Sequence, residues 1–169
     1  MKKTLQTVCI IRHQGRVLLG RNKRGISVGK WTGPGGHVEE GETIEKAAIR
    51  EMKEEAGLDV SDVKKVGILS FTSPLRSPIE IHIFKATKYE GEPMETDEMS
   101  PEWFTKDTIP FREMWTSDLY WWPYFFKNRL FVGEFEYDKH DRVISHEVRA
   151  VDTPSEMEHF SISRGKLPA

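Results

Sequence analysis

Three carboxylates stand where a helix built only for stability would not put them. Glu51, Glu54 and Glu55 lie in IEKAAIREMKEEA, a stretch with Thr43 as its expected N-cap and Gly57 where a C-terminal glycine belongs. Ile44, Ala47, Ala48 and Met52 recur at helical spacing and mark an inward face. At about 3.6 residues per turn, the three glutamates fall within an arc of roughly 100° that overlaps this apolar stripe. There they repel one another and the negative end of the helix dipole. Electrostatics alone would place lysine or arginine in those turns. A divalent cation resolves the conflict, because hard oxygen ligands suit Mg²⁺ and the ion supplies the missing positive charge. The plain alternative is a solvated acidic face, the usual fate of a charge run. The glycine-rich lead-in TGPGGHV and the overlap of acids with the apolar stripe argue against it.

Other elements must hold this helix in place. TLQTVCIIR reads as a strand, HQG as a turn and RVLLGR as the partner strand, so a hairpin opens the fold. RNKRGISVGKW is a polar loop whose four basic residues could face phosphates or simply solvent. VKKVGILSFT and IEIHIFKATKY read as strands separated by SPLRSP, a loop on the strength of its two prolines. EGEPMETDE is an acidic, turn-rich connection, MSPEWF a short strand and KDTIPFREMW irregular. A second helix is expected from Ser117 or Asp118, starting late or kinked because of Pro123. Six aromatic residues between Tyr120 and Phe126 make it a core anchor. LFVGEFEYD and RVISHEVRAVD form a last hairpin across KHDR. Strands on both sides of a central helix, with a second helix late, give a mixed α/β domain over 1–153. Residues 154–169 show little periodicity and are expected as a mobile or loosely docked tail.

Composition bounds the function. The chain has 169 residues, 37% hydrophobic and 31% charged, enough for one domain with a full core. A net charge of -2 and the lack of a basic stripe argue against direct nucleic-acid binding, so a polyanion site must be local. No stretch is apolar enough to span a membrane, and the N-terminus lacks a signal core. Cys9, the single cysteine, sits in an apolar run as a buried thiol. The protein is expected to be a cytoplasmic monomer without membrane or nucleic-acid partners.

The segment from Gly36 to Leu58 resembles the Nudix box, G-x5-E-x7-R-E-U-x-E-E-x-G-U with U apolar. Gly36, Glu42, Arg50, Glu51, Met52, Glu54, Glu55, Gly57 and Leu58 each take their place, nine positions in 23 residues. The resemblance implies a Nudix fold, a mixed sheet sandwiched between helices, and a Mg²⁺-dependent hydrolase of phosphoanhydride bonds, with Mn²⁺ as a substitute. Such hydrolysis is mainly a problem of charge, in which protein groups position and neutralise. By resemblance the metal ligands are Glu51, Glu54, Glu55, the Gly35 carbonyl and Glu98, with Arg50 orienting a glutamate. The proton of the attacking water goes to Glu51 or Glu98, a choice the sequence leaves open.

KWTGPGGHVEEGETIE, DEMSPEWF, IPFREMW and DLYWWP further resemble the branch of MutT homologues that act on oxidised purine nucleoside triphosphates. This implies cleavage of a modified purine (deoxy)nucleoside triphosphate, such as 8-oxo-dGTP or 2-hydroxy-dATP, to the monophosphate and pyrophosphate, in sanitation of the nucleotide pool. It also implies a base pocket with Thr7, Phe71, Met99, Trp103 and Trp115 as walls or edges and Asp118 at the purine edge. Gly36 and the loop residue Asn22 fall on the phosphate side. Three positions depart from the branch: Thr32 replaces an asparagine, Ser117 an aspartate and His37 a lysine. Ser117 removes one of two adjacent carboxyls whose shared proton would let one pocket read several bases. His37 carries a fixed charge only when protonated. The chemistry is therefore expected to persist while base preference differs from the branch.

Two other readings are open. Pro74, 16 residues after Leu58, is near a position associated with ADP-ribose hydrolases, and hydrolysis of ADP-ribose or a dinucleoside polyphosphate is the enzymatic alternative. A non-catalytic nucleotide-binding module is the other, but such modules generally lose a box glutamate and this chain keeps all of them.

Overall fold

In the computed structural model residues 3–164 are described. The opening hairpin is β1 (Thr4–His13) and β2 (Arg16–Asn22), with Arg12 opposite Val17 and His13 opposite Arg16. Gln14 and Gly15 turn the chain with φ of 50° and 75°, the left-handed pair that suits the twist of a two-residue hairpin. Two short strands follow, β3 (Trp31–Thr32) and β4 (Gly35–His37), then α1 (Ile44–Ala56). β5 (Asp59–Ser73), β6 (Arg76–Glu90) and β7 (Met99–Thr105) lead through two 3₁₀ turns to α2 (Asp118–Phe126). β8 (Leu130–Tyr137), β9 (Val143–Val151) and α3 (Pro154–Arg164) complete the described chain. β5 runs parallel to β8 while β8 and β9 are antiparallel, so the sheet is mixed, and with three helices the class is α/β.

The contacts group into two units. The α1 unit comprises Gln6–Lys65 and Ile83–Trp115. Its strand order is β3-β2-β1-β6-β5, with β4 on β1 and β7 on β2. Ala48, Met52 and Ala56 of α1 pack into a fully buried cluster with Cys9, Ile11, Leu18, Leu58 and Phe84. The α2 unit comprises Met1–Leu5, Val66–His82 and Thr116–Ala169, with strand order β6-β5-β8-β9. Trp121, Trp122 and Phe125 are buried there, as the aromatic run of α2 leads one to expect.

Three sequence expectations are corrected. The SPLRSP loop shrinks to Pro74 and Leu75, and β6 already includes Pro78, tolerated near a strand's beginning. α2 starts at Asp118 and runs through Pro123, where burial of three large aromatics outweighs the helix bond that proline removes. Of the expected tail, Pro154–Arg164 is a helix, while 165–169 lie outside the described residues. The overlooked signal is local. Thr153 caps the helix by accepting from Glu156 N at 3.1 Å, Pro154 occupies the first helical position, and Glu156 accepts from Asp152 N at 3.3 Å. Met157 and Phe160 then bury against Ile68, Val132 and Val151. Ser161 donates to Glu80 at 2.6 Å. Burial pushes the Glu80 carboxyl up, yet the bonds from His82, Lys3 and Ser161 together hold it at about 2. Met157→Ala should therefore cost about 2–4 kcal/mol of stability, read as a lower urea midpoint. A midpoint equal to the parent's would mean that α3 is not docked in solution.

Candidate active site

The caps that the sequence predicts for α1 are present. Thr43 Oγ1 accepts from Lys46 N at 3.1 Å, and Gly57, at φ 74°, donates its N–H to Lys53 O. With Ala47, Ala48 and Met52 buried, the intervening glutamates emerge at the edge of the apolar stripe. They line an open cleft of about 620 Å³. Gly35, Gly36 and His37 form another side of it, and Arg24, Thr96, Asp97 and Glu98 contribute from two loops. Glu98, more than forty residues from the helix, thus stands at the same cleft as Glu51, Glu54 and Glu55.

Arg50 organises the carboxylates. Its guanidinium grips Glu42 through Nε at 2.7 Å and Nη2 at 3.0 Å. Nη1 donates to Glu51 at 2.9 Å and Glu54 at 3.1 Å, and Nη2 also reaches the His37 carbonyl at 3.1 Å. This bidentate anchoring pulls the Glu42 carboxyl below its ordinary pKa and raises that of Arg50. Glu51 goes the other way: burial pushes its pKa up against the opposing pull of Arg50. Glu55 is pushed up to about 8, by burial first and then by Glu51, Glu98 and Glu54, although Gly35 N donates to it at 3.2 Å. Glu98 pairs with Arg24, the largest cause of that arginine's raised pKa.

The glycines are needed for space. Neither Gly35 nor Gly36 has a positive φ. A Cβ on Gly35 would fall 1.8 Å from Thr7 O, and one on Gly36 would fall 2.7 Å from Glu51 Oε1. Backbone and carboxylate therefore approach each other as closely as they can.

A divalent cation suits this donor set. The oxygens are hard, their charge is in excess, and burial makes the excess costly. Among the described residues no three acidic, histidine or cysteine side chains yet converge as a ready cage. Protein cations hold the oxygens apart: Arg50 sits between Glu51 and Glu54, and Arg24 draws Glu98. The sign of the pH dependence follows from Glu55. A carboxyl raised on folding contributes stability fully below about 4.5, and that contribution is lost as pH rises through about 8. A cation needs the ionised form and expels the proton. The gain in Tm from added divalent cation should accordingly grow between about pH 6 and pH 8.5. A gain that shrinks over that range would contradict the assignment of Glu55.

The candidate base-binding residues divide between the units. In the α1 unit, register places Asn22, Thr32, Met99 and Trp103 on one face of the sheet, the face of Leu18 and the α1 core. Thr7 shares it, two residues before Cys9 on β1 and opposite Gly36 on β4. The Thr7 hydroxyl is buried and has no hydrogen-bond partner. Asn22 donates to Thr32 Oγ1 at 2.8 Å, so these two act as one unit. Met99 fills the space that a side chain at Gly20 would take. Trp103 packs against the α1 core beside Tyr89, with Arg16 over its ring, which is a packing place. Trp115 donates to Ser27 at 2.9 Å and lies under Lys30. In the α2 unit, Phe71 stacks on Phe135, while Ser117 and Asp118 begin α2, both buried. Asp118 accepts from Trp121 Nε1 at 2.8 Å.

A family model described as the NUDIX domain matches residues 2–125. The chain belongs to the Nudix family. Near-complete relatives carry the comparison further. The oxidized purine nucleoside triphosphate hydrolase of Danio rerio is 45% identical over 149 residues, covering 88% of this chain and 96% of that protein. The Mus musculus protein of the same name is 44% identical over 151 residues, with the same coverage. Among solved structures, the mutator MutT protein of Bacillus halodurans superposes with a TM-score of 0.77 at 30% identity, covering 86% of this chain and 97% of that one. As a Nudix hydrolase the chain acts on phosphoanhydride bonds, and divalent-metal use is general in its family. No helix among the described residues is long and apolar enough to cross a membrane.

Two residues around this Nudix cleft have partners that the sequence reading does not give. Arg24 was one of four cations in a polar loop, and only the fold pairs it with Glu98. Glu42 had a signal, its fixed place in the box eight residues before Arg50.

Proposed function

We propose that this Nudix hydrolase is a Mg²⁺-dependent diphosphatase of an oxidised purine nucleoside triphosphate, such as 8-oxo-dGTP or 2-hydroxy-dATP, with nucleotide-pool sanitation as its role. The observation that carries the reading is the near full-length similarity to oxidised purine nucleoside triphosphate hydrolases, joined to a cleft lined by Glu51, Glu54, Glu55 and Glu98. Glu51, Glu54, Glu55, Glu98 and the Gly35 carbonyl are the residues that would hold the metal. When bound, the metal neutralises phosphate oxygens and lowers the pKa of attacking water. Arg50 orients Glu51 and Glu54, and Glu51 or Glu98 accepts the water's proton. His37 and Asn22 are the candidate phosphate-side groups, and Thr32, bonded to Asn22, is a candidate base contact. In the α2 unit Phe71 is a candidate aromatic face for the purine and Ser117 and Asp118 are candidate edge contacts; in the α1 unit Trp115 is a candidate aromatic face.

The test is pyrophosphate release with Mg²⁺ from 8-oxo-dGTP, 2-hydroxy-dATP, methylated purine triphosphates and unmodified dNTPs. The oxidised purines should lead in kcat/KM, in an order set by Ser117 and Thr32. Ribose phosphate from ADP-ribose as the dominant product would overturn the reading.

A further inference from the structure

Two fully buried polar side chains of the α2 unit have no part in the cleft. Glu80 and His82 are 0% and 1% exposed. They stand two residues apart on β6 and share one face of it. A carboxylate placed there is costly unless donors replace the water it has lost. Glu80 has three donors, from three parts of the chain. His82 Nε2 lies 2.7 Å from Oε1, and Ser161 of α3 donates to the same oxygen at 2.6 Å. Lys3, just before β1, donates to Oε2 at 2.5 Å. Burial pushes the Glu80 carboxyl up, but the three bonds outweigh it and keep the group ionised. His82 Nδ1 is buried without a hydrogen-bond partner, so the ring's engaged nitrogen is the one that meets Glu80.

The docking of α3 depends on this balance. With 11 residues it is too short to hold as a helix by itself. Its buried apolar anchors are Met157 and Phe160, set against Ile68, Val132 and Val151. Closing α3 onto these residues also brings Ser161 to Glu80. The helix therefore closes beside a charge, and the cost of closing depends on how well that charge is compensated. Lys3 brings a cation where Ser161 brings a hydroxyl. With Lys3 in place, closure buries an ion pair. Without it, closure buries an anion that has lost its cation, and opening Glu80 to water becomes favourable.

We propose that α3 is a strap whose closure is set by the positive charge of Lys3, transmitted through Glu80. The controlling group can be reached from solvent, since the Lys3 side chain is 28% exposed while Glu80 is sealed. Removing that charge releases α3 and uncovers Ile68, Val132 and Val151, with no residue of the cleft on α1 involved.

Residue-resolved amide hydrogen exchange tests the strap, with the parent, Lys3→Met, Lys3→Arg, Glu80→Gln and the double variant of Lys3→Met with Glu80→Gln. In the parent, the amides of Met157–Ser161 should be protected, yet exchange faster than those of Ile68 and Val132, as a unit that opens without global unfolding does. Lys3→Met should speed exchange in α3 at least about tenfold, the scale of one charge-assisted hydrogen bond. Lys3→Arg, which keeps the charge, should stay within about threefold of the parent. In the Glu80→Gln background, Lys3→Met should change α3 by less than about twofold, because the effect passes through the Glu80 charge. If Lys3 only stabilised the fold, Lys3→Met would speed the slowest sheet amides and leave α3 unchanged, which would overturn the proposal. So would α3 amides that exchange with the sheet core or without protection in the parent, an effect of Lys3→Arg equal to that of Lys3→Met, or an undiminished effect of Lys3→Met in the Glu80→Gln background.

Discussion

Glu55→Gln should lower kcat/KM on the triphosphate substrate by at least about a hundredfold while leaving the fold intact. The amide oxygen of glutamine can still accept from Gly35 N, so the contact between α1 and β4 survives. What disappears is a buried negative charge. In the metal-free protein that charge is a liability, shown by a carboxyl pushed up to about 8 through burial and three neighbouring glutamates. The variant should thus have a higher Tm than the parent at alkaline pH without divalent cation, and a smaller Tm gain when the cation is added. Stability and activity moving in opposite directions is the signature of a charge kept for function. Glu45→Gln, in the first turn of the same helix, should change neither. Activity of Glu55→Gln within threefold of the parent would remove Glu55 from the proposed site.

This conflict was legible before any coordinates, because helical geometry fixes which side chains share an arc. Thr43 and Gly57 bounded the helix correctly for the same reason: caps are local, and local rules need no partner. The glutamates' surroundings were less accessible. That Glu98 stands at the same cleft came from resemblance, and that Arg24 accompanies it depends on how two loops meet. α3 was missed although its capping residues are local, because only Met157 and Phe160 mark an apolar face and their partners, Ile68 and Val132, lie far away in the chain. Pro123 disfavours an uninterrupted helix by propensity alone, and three buried aromatics on α2 outweigh it. Trp103 and Trp115 looked equivalent as sequence. Strand register sends the first to the α1 core, and a loop hydrogen bond holds the second.

Gly36→Ala and Gly35→Ala should fail in different ways, and the difference isolates what the site requires. At Gly36 the nearest atoms to a new Cβ belong to the Glu51 carboxylate, at 2.7, 2.8 and 3.1 Å. That is the end of a flexible side chain, so the fold can yield for about 1–2 kcal/mol. The carboxylate cannot yield without leaving Arg50, which holds it at 2.9 Å. A Glu51 displaced by about an ångström is enough to lose on the order of a hundredfold in kcat/KM. At Gly35 the obstruction is Thr7 O at 1.8 Å, with Thr7 C and Val8 Cα within 3 Å, all of them backbone. No rotamer relieves that clash, so β4 must part from β1 where Val8 pairs with Gly35. The expected cost is about 3 kcal/mol or more, a large share of the roughly 5–15 kcal/mol that keeps a domain folded. Gly35→Ala should accordingly show a depressed Tm and low soluble yield, and Gly36→Ala a near-parental Tm with little turnover. Full activity in Gly36→Ala would mean that Glu51 works from some other position, and the arrangement around Arg50 would lose its claim on the chemistry.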